Sequence, residues 1–281
     1  MTNRDVVVLF SGGTDSTLTA ALVQADYRTV HLLTFDRLGF HGIGNTSLNA
    51  RMLAERYGAD RFRHETVHIG RLFKFIAYER YLQNLRKHGF HLLSTCGLCK
   101  LAMHMRTIRY CLEHGVRHAT DGSNQGMSIF PAQMRPVLDE IRRMYDRFGI
   151  RYFTPVYEFD APDEGDYLEQ ANRRFLEAGL HADRQPVEEV KESKRTPGRV
   201  LYEMGLAPAP DVKGTPYDRK RQARCFQLVL FNVFVLKWFL AAHSYEEYER
   251  ATVRFFRDKI RRATEVLEAN RQQGKYEKLF R

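Results

Sequence analysis

A short polar loop near the start of the chain has the composition of a phosphate-binding site. An apolar, β-branched run is followed by Ser11, Gly12, Gly13, Thr14, Asp15, Ser16 and Thr17. Glycines let backbone N–H groups approach an anion, and hydroxyl groups can donate further hydrogen bonds to phosphate oxygens. A helix that begins at Thr14 would add the positive end of its dipole. These residues predict a site for a phosphorylated ligand.

The alternative interpretation of this loop is an ordinary strand-to-helix turn with a glycine pair and no ligand. The complete string Ser-Gly-Gly-x-Asp-Ser, placed directly after the first predicted strand, is more specific than a glycine pair. It is not a Walker loop, because no Gly-Lys-Ser/Thr follows the glycines. The string therefore favours binding of a nucleotide phosphate by a loop of another type.

Three of the four cysteines have surroundings that favour thiol chemistry. Cys96 and Cys99 form a C-x-x-C motif ahead of a predicted helix, and Cys225 follows the basic run 219–224. Nearby positive charge stabilises a thiolate, which is the form that binds metals and attacks sulfur. Cys111 lies inside a predicted helix among apolar residues, and we expect it to pack as a small hydrophobic side chain.

Three chemistries fit this set of cysteines. They could ligate a 4Fe-4S cluster and leave its fourth iron open. They could instead form a persulfide relay, in which one cysteine carries sulfur and another resolves it by disulfide exchange. The third alternative is structural zinc with His91 or His104 as the fourth ligand, although a second C-x-x-C motif would have favoured it more strongly.

The loop resembles the pyrophosphate loop of the PP-loop ATP pyrophosphatases. Two further landmarks, residues 96–100 and 121–124, look like those of PP-loop sulfur transferases. The similarity is greatest to the group that includes the sulfur transferase of nickel-pincer cofactor synthesis, and tRNA thiolation enzymes that use an iron-sulfur cluster are more distant. The stretch 194–206 and Cys225 extend the resemblance, although the family sequence Cys-Leu-Ala-Ser-Arg is replaced by Cys-Phe-Gln-Leu-Val.

This resemblance implies an ATP-dependent sulfur transferase that adenylates an acceptor, releases pyrophosphate and inserts sulfur from a 4Fe-4S cluster or a cysteine persulfide. ATP and Mg²⁺ would bind at residues 11–17, with the adenine near the end of the second strand. The implied cofactor site also includes Phe35, Asp121, Gly122 and Asn124. The implied catalytic residues are Cys225, Asp15 and Lys100, and the implied cluster ligands are Cys96, Cys99 and Cys225. Lys194 and Arg195 are candidates for phosphate contacts.

Two other functions are compatible with the same residues. A PP-loop ligase that forms amides would use the loop in the same way and keep the cysteines for structural zinc. A nucleotide-binding protein without catalytic activity would retain the loop alone. Analysis of the products formed with ammonia and with sulfide would distinguish the ligase from a sulfur transferase. Absence of pyrophosphate release with every class of substrate would support the protein without catalytic activity.

The charge of the chain favours anionic partners. It carries 44 Lys+Arg against 34 Asp+Glu, a formal net charge of +10. The basic run 219–224 and the arginine-rich final helices could bind tRNA phosphates, line a pocket for a small anionic acceptor or form a homodimer surface. The sulfur donor would be sulfide or a cysteine desulfurase.

Alternation of apolar β-type runs with helical patterns predicts an α/β fold, with a parallel sheet and helices on both faces. We place a nucleotide-binding domain at residues 1–160 and a mainly helical region, which contributes Cys225, at 161–281. The predicted strands are 6–10, 29–35, 61–69, 118–121 and 151–156. The predicted helices are 14–23, 45–57, 71–88, 101–114, 134–148, one that follows the loop 160–166 and ends at Leu180, 222–242 and 245–271.

The sequence predicts a reducing, cytoplasmic location. The first strand begins almost at Met1, which leaves no room for a secretory signal. The apolar run 225–243 is interrupted by Gln227, Asn232 and Lys237, whereas a membrane span needs about twenty apolar residues. We therefore expect no membrane association and free thiols.

Overall fold

The computed structural model of the chain describes residues 4–93, 96–160, 195–210, 212–225, 235 and 238–281. Seven strands occur in these residues: β1 (Asp5–Leu9), β2 (Thr29–Asp36), β3 (Phe40–His41), β4 (Phe62–His68), β5 (His118–Asp121), β6 (Arg151–Phe153) and β7 (Arg224–Cys225). Five of them form a parallel sheet in the order β4-β2-β1-β5-β6, while β3 and β7 form a separate antiparallel pair. The predicted α/β fold class is confirmed.

Helices connect the strands and extend the chain beyond the sheet. They are α1 (Thr14–Val23), α2 (Thr46–Tyr57), α3 (Gly70–Tyr78), α4 (Tyr81–His88), α5 (Phe90–Leu93), α6 (Leu98–His114), α7 (Arg135–Asp146), α8 (Pro197–Glu203), α9 (Pro216–Arg219), α10 (Tyr245–Gln273) and α11 (Glu277–Phe280). Short 3₁₀ turns lie at Ile43–Asn45, Ala59–Arg61, Gln125–Met127 and Pro131–Gln133.

Strand β1 is covered on both faces, as its apolar sequence predicts. Val6 and Val8 belong to one buried cluster, which includes side chains of α1, α2 and α8. Val7 and Leu9 belong to a second cluster on the opposite face, with side chains of α6, α7 and α10. Successive side chains of a strand point to opposite faces, so helices lie on both sides of the sheet.

The long helix α10 packs against the same core as the sheet. It begins with a capping box, in which the Ser244 hydroxyl accepts from Glu247 N and the Glu247 carboxylate accepts from Ser244 N. Phe255 and Phe256 on this helix are fully buried in the second cluster. A C-terminal helix thus packs on α6 and α7, the helices that cover one face of the sheet.

The prediction of one helix over 71–88 is wrong. The structure has two helices, α3 and α4, because Arg80 adopts a left-handed conformation with φ of 53°. The Glu79 carboxylate beside this break accepts hydrogen bonds from Arg262 of α10 at 2.6 to 3.0 Å. A tertiary ion pair therefore fixes the break that side-chain periodicity did not reveal.

The predicted helix 222–242 is also wrong at its start, since Arg224 and Cys225 form β7 and pair with His41 and Phe40. The backbone pairing with β3 replaces helical hydrogen bonds there. The rest of that prediction falls mostly outside the described residues, as does the predicted helix before Leu180. Within the part of the chain that the structure describes, no helix has the length and apolar character needed to cross a bilayer.

Candidate nucleotide and thiol site

The predicted phosphate loop lies at the carboxyl ends of the central strands. The connection from β1 leads to β2 on one side and the connection from β5 leads to β6 on the other, so the ends of β1 and β5 flank a topological switch point, where α/β sheets bind ligands. Gly12 has φ of +73°, and a Cβ there would lie 2.4 Å from the Arg221 carbonyl oxygen. Glycine is therefore required by both the backbone conformation and the close approach of another segment.

The loop after β5 packs directly on the phosphate loop. A Cβ added to Gly122 would lie 2.6 Å from the Ser16 amide nitrogen. The Thr19 hydroxyl of α1 donates to the Asp121 carbonyl oxygen at 3.4 Å. The structure therefore brings together residues 11–17 and 121–124, which the sequence identified separately.

Hydrogen bonds within the phosphate loop fix its shape. The hydroxyl groups of Ser11 and Ser16 are 3.1 Å apart, and Ser16 Oγ also donates to the Gly13 carbonyl oxygen at 3.1 Å. Asn49 of α2 donates to the Gly12 carbonyl oxygen at 2.7 Å. These contacts hold the loop in one conformation, in which its remaining backbone N–H groups are preorganised as donors.

Asp121 and Lys100 form an ion pair behind the two loops. Lys100 Nζ lies 2.8 Å from Asp121 Oδ2 and donates to Ser123 Oγ at 2.6 Å. Burial disfavours the charged form of Asp121, but Lys100 and His104 outweigh burial and bring the pKa of Asp121 to about 2. Burial brings the pKa of His104 to about 3, so this imidazole is neutral at pH 7. Lys100 is thus held by a carboxylate.

Asn124 has a structural role in the turn after β5. Its Nδ2 donates to the carbonyl oxygens of Val156 and Phe159, both at 3.1 Å, and its Oδ1 accepts from Gly126 N. Phe35 is buried near the end of β2. The participation of both residues in nucleotide binding stays a prediction.

The sequence also predicted phosphate contacts by Lys194 and Arg195. Arg195 is exposed; its guanidinium lies over the ring of Phe159, and its backbone N–H donates to the Asp160 carboxylate. Lys194 lies outside the described residues.

The structure brings three of the cysteines together in a thiol triad, which consists of Cys96, Cys99 and Cys225. Hydrogen bonds with Cys225 and Cys96, together with the nearby Arg37 guanidinium, lower the pKa of Cys99 well below its usual value despite burial. The hydrogen bond with Cys99 and burial raise the pKa of Cys96 well above its usual value. One thiolate in the triad is therefore favoured, and a second is not.

Arg37 is a residue of this site that the sequence prediction missed. Its Nη2 lies 3.3 Å from Cys225 Sγ, and its side chain is 4 % exposed between the rings of Phe40 and Phe73. Arg37 directly follows β2, and the carboxyl end of a parallel strand was the signal that could have identified it.

All four cysteines are free thiols, and Cys111 is buried in the core, where burial raises its pKa to about 12. His104 contacts Tyr145 and Asp121, while the side chain of His91 is outside the described residues. Among the residues described, no three His, Cys, Asp or Glu side chains are placed to hold a metal ion. A 4Fe-4S cluster is ligated by cysteine thiolates, and the thiol triad supplies that type of donor.

A second missed feature is a segment that lies across the phosphate loop. We call residues 212–225 the strap. Ala223 N donates to the Ser11 carbonyl oxygen at 3.0 Å. Lys213 Nζ lies 2.7 Å from Asp15 Oδ2, and Asp218 Oδ1 accepts from the Thr14 hydroxyl at 2.9 Å. No local pattern in the sequence of the strap indicates these distant partners.

Asp15 is suited to a magnesium ion. Its Oδ1 is buried and accepts no hydrogen bond from the described residues, while Oδ2 is paired with Lys213. Mg²⁺ is usually bound by one or two carboxylates together with substrate phosphates. A carboxylate beside a phosphate-type loop fits that donor set.

No family model matches the chain, and a search of curated proteins finds no relative. Solved structures give weak similarities. A predicted subunit of a tRNA methyltransferase from Methanocaldococcus jannaschii is 20 % identical with a TM-score of 0.37, and the match covers 79 % of this chain and 96 % of that one. The U34-tRNA thiolase NcsA from Methanococcus maripaludis, with its 4Fe-4S cluster, is 14 % identical with a TM-score of 0.36, and the match covers 94 % of this chain and 74 % of that one.

Proposed function

We propose that the chain is an ATP-dependent sulfur transferase, which adenylates an acceptor, releases pyrophosphate and transfers sulfur to the activated position. The observation that carries this proposal is that the strap contacts the phosphate-type loop and also contributes Cys225 to the thiol triad. Ala223 is hydrogen-bonded to Ser11, and Cys225 follows two residues later. Two extended residues span at most about 7 Å, so the thiol triad lies beside the loop.

The loop supplies the groups that activation requires. Its backbone N–H groups and the hydroxyls of Ser11 and Ser16 would bind the pyrophosphate and stabilise the charge that develops on it. Asp15 would hold Mg²⁺, which neutralises phosphate oxygens. The acceptor oxygen attacks the α-phosphorus, pyrophosphate leaves, and the oxygen now carries AMP as its leaving group. Lys100 and Asp121 hold the adjoining loop in place.

The thiol triad would supply the sulfur chemistry. A 4Fe-4S cluster held by Cys96, Cys99 and Cys225 would provide an iron at which sulfide binds. In the persulfide alternative, a terminal persulfide sulfur attacks the activated carbon and AMP leaves with the oxygen. A second thiolate then attacks the cysteine sulfur, a disulfide forms, and the transferred sulfur stays on the acceptor. Arg37 favours the thiolate that either route needs.

Exposed cations beside Cys225 support an anionic acceptor. Arg219, Lys220 and Arg224 are exposed on the strap. Such a surface suits tRNA or a small anionic molecule. tRNA retention that falls steeply between 50 and 200 mM salt would favour phosphate contacts by several cations, whereas salt-independent turnover of a small carboxylate would favour the other acceptor.

The decisive experiment is anaerobic purification followed by iron, sulfide and zinc analysis of the wild type, Cys225→Ala and Cys111→Ala. We expect about four irons and four sulfides per chain in the wild type and in Cys111→Ala, and loss of both in Cys225→Ala. About one zinc per chain would contradict the cluster and favour the amide-forming ligase. A metal-free wild type with sulfur transfer that depends on Cys225 would support the persulfide route. Sulfur transfer that survives Cys225→Ala would contradict the proposed function.

A further inference from the structure

The strap places two opposite charges on the phosphate loop. The Lys213 ammonium group is paired with Asp15 at 2.7 Å. Five residues later, the Asp218 carboxylate accepts from both the hydroxyl and the backbone N–H of Thr14, at 2.9 and 3.3 Å. Thr14 is the first residue of α1, so this carboxylate lies at the positive end of the helix dipole.

These contacts reproduce the charges of a magnesium-bound phosphate. A cation on the Asp15 carboxylate is the arrangement expected of Mg²⁺, and an anion on the first N–H group of a helix after a glycine turn is the arrangement expected of phosphate. Asp218 is 5 % exposed, and its second oxygen accepts from Gly214 N and Gln222 Nε2 at 2.9 and 2.8 Å. A buried carboxylate with four donors thus occupies the anion position of the loop.

We propose that Lys213 and Asp218 occupy the positions of Mg²⁺ and phosphate when no nucleotide is bound, so that nucleotide binding displaces the strap. The inference rests on the proposed nucleotide site and deepens it. Two like-charged groups cannot share the Thr14 donors, and Mg²⁺ cannot bind Asp15 Oδ2 while that oxygen holds the Lys213 ammonium group. The bound nucleotide and the closed strap therefore exclude one another.

Displacement of the strap would also move one member of the thiol triad, because Cys225 is the last residue of the strap. Cys225 is held by the two-residue pairing of β7 with β3 and by Arg37. When Ala223 leaves the Ser11 carbonyl group, the short connection transmits the movement to Cys225. The triad would thus become accessible to the sulfur donor and the acceptor only after ATP has bound.

Polar contacts hold the strap on the loop. Its helix α9 has four residues, and its contacts with the loop are polar, through Lys213, Asp218 and Ala223. Segments with few buried apolar contacts open more readily than the core. The apparent affinity for nucleotide is the intrinsic affinity multiplied by the fraction of molecules in which the strap is open.

The test combines ATP titration calorimetry with hydrogen–deuterium exchange on the full chain, with Mg²⁺ present throughout. In the wild type, we expect ATP to slow exchange in residues 11–17 and to accelerate exchange in residues 212–225. Asp218→Asn removes the competing charge and should lower the apparent Kd for ATP about tenfold, since one charge-assisted contact is lost. Glu203→Gln removes an exposed carboxylate on α8 and should leave Kd unchanged.

Slower exchange in both segments on ATP binding, or weaker ATP binding by Asp218→Asn, would overturn the inference while leaving the nucleotide site intact. The exchange experiment needs no substitution, so it decides the matter even where Asp218→Asn fails to fold. Absence of ATP binding in both the wild type and Asp218→Asn would overturn the nucleotide site itself, and the strap inference with it.

Discussion

Acid should destabilise the fold through His104, which lies behind the Lys100–Asp121 ion pair. Burial lowers the pKa of His104 from the ordinary value of 6.5 to about 3. Between these values the unfolded chain binds a proton that the folded chain does not, so stability falls as pH decreases. At pH 4.5, two units below the unfolded pKa, the loss attributable to His104 is about 3 kcal/mol relative to pH 7.

The assay is guanidinium unfolding of the wild type, His104→Gln and His41→Gln at pH 7 and pH 4.5. Glutamine retains a polar group for Tyr145, whose hydroxyl lies 3.1 Å from His104 Nδ1, but it does not titrate. We expect the difference between the two pH values to shrink by about 3 kcal/mol in His104→Gln. The exposed His41→Gln control should keep the wild-type difference. An equal loss of stability in wild type and His104→Gln would refute the reasoning.

Three further substitutions test other parts of the structure. Gly122→Ala should lower the free energy of unfolding by about 1–3 kcal/mol and weaken ATP binding, because the added Cβ would lie 2.6 Å from Ser16 N. Calorimetry measures both effects, and an unchanged melting temperature would contradict the close packing. Arg37→Met should raise the pKa of Cys99, so alkylation of Cys99 at pH 7 in reduced, metal-free protein should slow, and an unchanged rate would argue against the role of the guanidinium. Ser244→Ala removes the cap of α10 and should cost about 1 kcal/mol in denaturant unfolding, while no loss would mean that the capping box is dispensable.

Local patterns were sufficient to predict the parts of the fold in which neighbouring residues determine the structure. The apolar run before Ser11 and the capping pattern at Thr14 gave β1 and the full extent of α1. Helices 45–57 and 245–271 were predicted to within two residues at each end, since their periodicity is long and regular. The C-x-x-C motif likewise indicated a pair of thiols without knowledge of the fold.

Contacts between distant segments could not be predicted in this way. The basic run 219–224 suggested the source of positive charge at Cys225, but the guanidinium in contact with this thiol belongs to Arg37, 188 positions away. The two-residue pairing of Phe40 with Cys225 creates that contact, and so short a ladder leaves no periodic signal. Asp218 reaches Thr14 across 204 positions for the same reason.

The position of β1 in the sheet has a consequence for synthesis on the ribosome. One edge of β1 pairs with β2 soon after it emerges, but the other edge pairs with β5, where Val7 meets Ala119. At about 5–20 residues per second, translation leaves the backbone groups of this edge without their partner strand for on the order of ten seconds. Unpaired strand edges bind other chains. We therefore expect nascent chains that end before His118 to depend on chaperones, and chains that include β6 to be released from them.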